Sequence, residues 1–473
     1  MFSAGIEDPF ELYKYIHVSE LENCIGSGAG GLKLKSMRDM YRHRYRDDPV
    51  QDDILQETFL NSMAAWTNML LFSATGPIKT PTGTCATSIE SLDNACEGIQ
   101  SRRVKVALVG GTDDLQEEVS HEFSNMKATM VGEEEMAKGF LPSQMSRPTA
   151  SSPLQMGLPI YAIVASTQMA GDSVGRSVPA PGQGVLTAAR EMPTASQSPL
   201  LDLEYRRSRL EQETAAIEEW RLSQLAGALH TSAQDAVQNQ VTESASSCRK
   251  SDARYMWNGE IRQLDPSISP MRAALAVWGL TIDDIRVSSF HGTSTKANDK
   301  NESSVINQQM VHLGRTPGNP LFVVCQKYLT GHPKGGAGAW MLNGCLQVLE
   351  SGIVPGNRNA DDIDGELRAF PHLLYLSEAI RVPGIKALML TSFGFGQKGG
   401  LVIGVTPRAL FAALPAAELE AYRERVEKRR RRADRDFQLA MITNSVFKAK
   451  DQSAWVKAGK SSAAVFLDPT ARI

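Results

Sequence analysis

A layered α/β fold is what this sequence predicts, and three observations carry it. Short apolar runs alternate with longer stretches of helical periodicity. Those runs are rich in β-branched residues, as strands buried in a sheet are. The chain's 473 residues, 42% of them hydrophobic, are enough to bury a sizeable core. The candidate strands are Val104–Val109, Tyr161–Ala165, Ile285–Phe290, Leu321–Cys325, Ala387–Phe393 and Leu401–Val405.

Helices fill the spaces between them. Asp53–Leu71 places Ile54, Phe59, Met63, Trp66 and Leu70 on one apolar side. After Cys85, the residues Ile89, Leu92, Cys96 and Ile99 recur at helical spacing, so Ala86–Gln100 reads as a second helix. Composition changes near residue 195. Leu203–Leu229 is rich in Glu, Arg and Gln around an interrupted stripe of Leu210, Ile217, Trp220 and Leu225, while Thr231–Ser251 is Ser/Gln-rich with little apolar content. Residues 190–262 therefore read as a helical insert with a mobile stretch. The tail beyond Pro407 is mostly charged helix. Its Lys428-Arg429-Arg430-Arg431-Arg432 run is flanked by Glu420, Glu424, Glu427, Asp434 and Asp436, which makes it a solvated, salt-bridged face before it makes it a nucleic-acid patch.

Charge and composition narrow the function. With 50 basic and 53 acidic side chains the net charge is −3, which argues against broad electrostatic binding to nucleic acid or anionic membrane. No apolar run reaches the roughly 18 residues a bilayer demands, and the first residues lack the basic start and apolar stretch of a secretory signal. Six scattered cysteines (Cys24, Cys85, Cys96, Cys248, Cys325, Cys345) form neither a disulfide framework nor a zinc motif. The expectation is a reduced, cytoplasmic protein that needs no metal.

Four motifs bear on chemistry. In Gly83-Thr84-Cys85-Ala86-Thr87-Ser88 a cysteine opens an amphipathic helix, where terminal amides lower a thiol's pKa. Such a residue is either an activated nucleophile or a small packing residue. His291-Gly292-Thr293-Ser294-Thr295 follows a strand, where open sheets place their sites, with Asp299 and Glu302 close behind to hold the loop. Gln326-Lys327-Tyr328-Leu329-Thr330-Gly331-His332-Pro333-Lys334-Gly335-Gly336 also follows a strand, and Lys327 and His332 can line one loop. Ser392-Phe393-Gly394-Phe395-Gly396-Gln397-Lys398-Gly399-Gly400 is a turn between two strands, whose amides can point into a cavity and bind an oxyanion. A fifth stretch, Cys24-Ile25-Gly26-Ser27-Gly28-Ala29-Gly30-Gly31, has the look of a dinucleotide loop. It shows no clear preceding strand and no fitting acidic partner, so a Rossmann site is rejected. Together, one cysteine, two histidines and an amide-donating turn make an acyl-transfer constellation.

Those residues resemble the Cys-His-His signature of β-ketoacyl synthases. The longer strings Gly110-Gly111-Thr112-Asp113-Asp114-Leu115-Gln116-Glu117-Glu118, Phe123-Ser124-Asn125-Met126-Lys127-Ala128-Thr129, His291–Glu302 and Gly331–Trp340 resemble the ketosynthase region of the fungal type I fatty acid synthase α subunit, nearly end to end. The resemblance implies a thiolase-like, layered α-β-α-β-α fold of two similar halves, incomplete in its first half. It divides the chain into an N-terminal half at 1–189, the charged helical insert at 190–262, a C-terminal half at 263–408 and a charged extension at 409–473.

The resemblance also implies chemistry. This would be a 3-oxoacyl-[acyl-carrier-protein] synthase, an acyltransferase performing decarboxylative Claisen condensation. Cys85 would carry the acyl chain, and His291 and His332 would stabilise the malonyl enolate with electrostatic support from Lys327. The amides of Cys85 and Phe395 would bind the oxyanion. Phe393 and Phe395 would gate the acyl pocket, and Thr293, Asp299 and Glu302 would support the loop. No cofactor is implied beyond the phosphopantetheine of the acyl carrier protein, and the partners would be that carrier, a second copy and the β subunit. Three departures accompany it. The family's region begins before Met1, the other regions of the full subunit are missing, and Thr149–Met156 is shorter than the strand and helix expected there. Two alternatives stand beside this: an inactive or assembly-only remnant, and a thiolase, which the paired histidines disfavour.

Overall fold

The architecture is that of a computed structural model, which describes residues 8–28, 41–42, 59–113, 153–172, 182–226, 233–358, 360–446 and 449–473. Three parallel strands form the first sheet. β1 (Leu21–Ser27) lies between β2 (Ile78–Lys79) and β3 (Val106–Thr112). β1 is not among the strands expected from the sequence, because Glu22 and Asn23 interrupt its apolar pattern. Both are buried and reach distant partners: Lys79 Nζ lies 3.0 Å from the Glu22 carboxylate, and Asn23 Nδ2 donates to Ala64 O at 2.7 Å. The glycine loop after Cys24 therefore does follow a strand. Its Gly28 amide, however, is taken by Asp113, so protein occupies the place where a dinucleotide phosphate would sit.

Within the helix expected at 53–71, residues 53–58 lie outside the described residues. α1 (Ser62–Thr67) runs into a wider π-type turn, Asn68–Phe72. That turn shifts the helix phase beyond Thr67, so Leu70 is exposed and Phe72 is buried; Phe59, before α1, is exposed as well. α2 (Thr87–Gln100) follows Cys85 and packs on β1 and β3 from one side.

The helices that follow are α3 (Leu203–Ala226), α4 (Ala233–Asn258), α5 (Pro270–Val277), α6 (Lys296–His312), α7 (Lys327–Thr330) and α8 (Ala337–Ser351). The remaining strands are β4 (Ile163–Gly171), β5 (Ile285–Ser289), β6 (Leu321–Val324), β7 (Ile353–Val354), β8 (Leu373–Tyr375), β9 (Ile380–Arg381), β10 (Ala387–Gly394) and β11 (Lys398–Val405). Six of these form a mixed sheet in the order β4-β11-β10-β5-β6-β8, and β7 and β9 make a small antiparallel ribbon. Alternation along the strands separates its two faces. Ile285, Met389, Leu401, Ile403 and Val405 face an outer layer containing Met271, Leu275, Ile306 and Met310. Val287, Leu388, Leu390 and Val402 face Ile89 and Leu92 of α2 and Met341, Cys345 and Val348 of α8. α2 and α8 are thus a helical layer between the two sheets.

The insert is more ordered than its composition implies. The Ser/Gln-rich stretch is helical from Ala233 onward, as part of α4. Polar contacts across the α3/α4 hairpin replace the missing apolar stripe. Glu218 pairs with Arg221 and Lys250, Arg221 reaches Glu243, and the Arg249 guanidinium lies 3.9 Å from the Trp220 ring centre. Arg206, fully buried at the start of α3, donates to Leu200 O and Ala276 O at 2.6 Å each and ties the hairpin to α5.

A long charged helix, α9 (Ala416–Ile442), follows the second sheet. Arg429, Arg430, Arg431 and Arg432 face Glu11, Glu350, Glu427 and Asp436. The chain then returns to its own beginning. His17 Nε2 contacts Val465 O at 2.6 Å, and Ile473 N donates to Tyr13 O at 2.9 Å. Among the described residues, no helix is long and apolar enough to cross a membrane. Replacing Arg206 with Leu would remove the side-chain donor to Leu200 O and one of two donors to Ala276 O, which also accepts from Gly279 N at 2.9 Å. The expected loss is about 3 kcal/mol of unfolding free energy, read by urea denaturation; a loss below about 1 kcal/mol would show that the anchor is dispensable.

Candidate functional site

Cys85 sits in a single 3-10 turn, Thr84–Ala86, between β2 and α2. Thr84 holds a left-handed backbone, φ +51°, which costs a β-branched residue on the order of 1–3 kcal/mol. Contacts to the far turn hold it there. Thr84 Oγ1 is 3.1 Å from Phe395 O, and a Cβ on Gly394 would fall 2.1 Å from Thr84 Oγ1, so only glycine lets the β10–β11 turn approach. Cys85 is 4% exposed. Burial pushes its thiol up to about 11; the Lys327 and Lys334 charges pull the other way, and Asp113 adds to the rise. The expectation of a lowered pKa is therefore corrected for the resting protein: desolvation outweighs the helix start.

His291 lies two residues beyond β5, and Lys327 opens α7 just beyond β6, so neighbouring parallel strands deliver both. Lys327 Nζ is 3.0 Å from His291 Nδ1 and also donates to His291 O. An ammonium can only donate, so Nδ1 is the acceptor and the ring proton sits on Nε2. Glu302, from α6, balances the buried ammonium. Its oxygens accept from His291 N at 2.7 Å, Gly292 N at 3.0 Å, Asn298 Nδ2 at 3.2 Å and Thr391 Oγ1 at 2.6 Å. Burial raises the Glu302 pKa and lowers that of Lys327, and each charge counters the shift of the other. Asp299, also raised by burial, contacts Asn298, and Thr293 Oγ1 lies 3.2 Å from Thr295 Oγ1.

His332 meets His291 edge-on, with ring centroids 5.3 Å apart, and the Phe393 ring lies 5.9 Å from His291. Both imidazoles are neutral. Burial, then Lys327 and Lys334, bring His332 down to about 3; burial, Lys327 and His332 take His291 well below its ordinary value. Ser392 joins the parts, donating to Cys85 O at 2.9 Å and lying 3.3 Å from His291 Nδ1. The structure thus gathers Cys85, His291, His332, Lys327, Phe393 and Phe395 at one place, with Glu302 directly behind, Thr293 on the His291 loop and Asp299 in the first turn of α6. Ser392, Thr84, Lys334 and Asp113 belong there too. All but Thr84's strain lie inside motifs the sequence displays, yet residue type alone gave them no task. Such a site can acylate a thiol and hold negative charge on an oxygen with neutral N–H donors. A cavity of about 540 Å³ lies behind α7, lined by Gln326, Tyr328, Trp340, Asn343 and Gln347 among others; Cys85 and the two histidines do not line it. Among the described residues, no group of three or more His, Cys, Asp or Glu side chains is arranged to hold a metal ion.

Two family models match this chain: the N-terminal domain of β-ketoacyl synthase over residues 13–144, and the C-terminal domain over residues 242–361. The chain belongs to the β-ketoacyl synthase family. The fatty acid synthase subunit alpha of Aspergillus oryzae is 60% identical across the whole chain, the fatty acid synthase alpha subunit pigJ of Monascus ruber 54%, and the fatty acid synthase subunit alpha of Saccharomyces cerevisiae 47%. The chain spans just over a quarter of the length of these relatives: 28%, 27% and 26%. Among solved structures, the ketosynthase FabY from P. aeruginosa superposes with a TM-score of 0.63 at 18% identity, over 95% of this chain and 62% of its own. That likeness gives this chain a thiolase-like fold of two sheets enclosing a helical layer.

Neutral buried histidines couple stability to pH. Below about pH 6.5 the unfolded chain protonates His332 while the folded chain, with its value near 3, does not, so stability falls as pH falls. At pH 5 this amounts to about 2 kcal/mol for His332. Urea unfolding at pH 7 and pH 5 should show a smaller drop for His332→Gln than for the parent chain; equal drops would contradict the assignment.

Proposed function

We propose that this chain is the condensing unit of a fatty acid synthase, a β-ketoacyl-[acyl-carrier-protein] synthase. The observation that carries the reading is the convergence of Cys85, at the start of α2, with two neutral histidines, one of them held by the buried Lys327 ammonium. The family membership and the relatives' names support it. We read residues 1–189 and 263–408 as the two halves of the catalytic fold, 190–262 as an insert and 409–473 as an extension.

The first step is transthioesterification. Cys85 sulfur attacks the acyl thioester on the carrier's phosphopantetheine, the new C–S bond forms as the old one breaks, and the thiol proton leaves with the pantetheine thiolate. Amides of Cys85 and Phe395 receive the oxyanion; the approach of Gly394 to the Cys85 backbone supports that pairing. In the second step the malonyl thioester loses CO2, and the electron pair of the broken C–C bond becomes an enolate. Neutral His291, through Nε2–H, and His332 donate to its oxygen. The enolate carbon then attacks the acyl-Cys85 carbonyl, and the Cys85 thiolate departs and is reprotonated. Lys327 holds His291 in the donating tautomer, Phe393 and Phe395 wall the acyl pocket, and Glu302, Asp299 and Thr293 hold the His291 loop. The condensation itself calls for no resident cofactor.

The substrates this implies are acyl and malonyl groups on an acyl carrier protein. A second copy of the chain and a β subunit are the proposed protein partners. A reducing, cytoplasmic location suits a site that needs Cys85 as a free thiol, and all six cysteines are unpaired.

Cys85→Ala should abolish acyl loading, read by mass spectrometry of the chain after incubation with acyl-carrier protein. His332→Ala should still load and lose condensation by about 10²-fold or more; condensation at the parent rate would remove His332 from its role. The raised Cys85 value also predicts that iodoacetamide labelling of Cys85 climbs steadily with pH past 9. A plateau below pH 8 would mean that the thiolate is already present at rest.

A further inference from the structure

We propose that Asp113 is a positioning residue which fixes the His332 loop against the Cys85 half of the molecule. The inference rests on the condensing reading above and assigns a task to two stretches that reading leaves idle, the glycine loop after β1 and the end of β3. Asp113 follows β3 directly. Its Oδ1 accepts from Ser27 Oγ at 3.0 Å and Gly28 N at 2.8 Å, and its Oδ2 accepts from Gly335 N at 2.5 Å. Gly335 lies three residues after His332. One carboxylate therefore joins the first sheet to the loop that carries the second histidine.

The same peptide is held from its other side. Ser88 Oγ, on α2 and three residues after Cys85, donates to Gly335 O. The packing admits no side chain, since a Cβ on Gly111 would fall 2.1 Å from Gly335 O. Both polar groups of the Gly335 unit are thus engaged by the half that bears the nucleophile. Among the described residues, His332 Nδ1 is buried without a hydrogen-bond partner. Gly331 has nothing within 4 Å of where its Cβ would be, and Lys334 has a left-handed backbone, φ +46°. The ring inherits its place from the peptide three residues on. Without the Asp113 carboxylate, the Gly28 and Gly335 N–H groups would lose their acceptor, and the loop would part from Cys85.

Asp113 touches no reacting atom on this account, so its loss separates the two half-reactions. The full chain is assayed with acyl- and malonyl-carrier protein, reading acyl-Cys85 by mass spectrometry and condensation by product. Asp113→Asn should reduce condensation by about 10²-fold, since displacements near 1 Å have that effect, and should reduce loading far less. Added to His332→Ala it should bring no further loss. Removing the charge should also shift the pH profile of Cys85 alkylation toward lower pH, because Asp113 raises that thiol; a purely structural role would not move the profile in that direction. Unchanged condensation, or parallel loss of both half-reactions, would overturn the assignment. Should Asp113→Asn not fold, Ser27→Ala keeps the carboxylate and both amide bonds. It should lower condensation by about 3-fold with loading unchanged, and equal losses in both would count against the clamp. A parent chain that never forms acyl-Cys85 refutes the condensing reading itself and this inference with it, whereas failure of the clamp alone leaves the parent condensing.

Discussion

A buried ammonium sets the terms of this site. Lys327 is 8% exposed, and a charge taken out of water must find both an opposite charge and hydrogen-bond acceptors. Glu302 supplies the charge, and His291 supplies two acceptors, its Nδ1 and its carbonyl. Each answer then constrains the next residue. Because Nδ1 is taken, the His291 proton resides on Nε2. Because Glu302 must remain a carboxylate, four donors from the His291 loop, α6 and β10 turn toward it. The histidine tautomer, the loop conformation and the junction with β10 are thus one electrostatic solution. Its parts come from β5, β6, α6 and β10, which explains why the second sheet must be complete around it.

The second constraint is distance between halves. The nucleophile belongs to the first sheet and both histidines to the second, so the reacting groups meet only where two backbones nearly touch. Glycine makes that approach possible at Gly394, against Thr84, and at Gly111, against Gly335. Polar side chains then pin the approach, with Ser392 on Cys85 O and Asp113 on Gly335 N. Farther along α2, Glu90 meets Lys398 at 2.6 Å, so the nucleophile helix and the β10–β11 hairpin are also joined by charge. Small residues bring the halves together and short polar bridges fix the register.

What was legible in the sequence follows from the range of each interaction. The β-branched runs that became β5, β6, β10 and β11 carry their signal within a few residues, and so does the helical spacing after Cys85. Their ends fell within a few residues of expectation. β1 escaped because Glu22 and Asn23 are held by contacts to Lys79 and Ala64, residues distant in the chain. Helix α4 read as a mobile stretch because its support is a set of cross-hairpin pairs such as Arg221–Glu243. The site shows the same division. Cysteine and histidine announce themselves by type, and the glycine-rich turn by composition. Asp113, Ser392 and Lys334 act through partners 200 or more residues away or through space, and no local pattern distinguishes them from ordinary loop residues.

The Cys85 thiol shows how local and global effects compete. A helix start lowers a thiol's pKa, but burial raises it, and here burial wins in the resting protein. The informative comparison is with the other buried thiols. Burial pushes Cys24, Cys96 and Cys345 up to about 12 and Cys325 higher still, and it raises Cys85 to about 11. At Cys85 the Lys327 and Lys334 charges favour the thiolate, while at Cys325 Lys327 is opposed by the Glu302 and Asp299 charges. A protonated, enclosed thiol resists oxidation while it waits. Its ionisation need only accompany bond formation, because the departing thiolate of an incoming thioester carries the proton away. On the proposed reaction, the lysines and the helix amides therefore act on the charge as it develops, and a permanently ionised cysteine is not required.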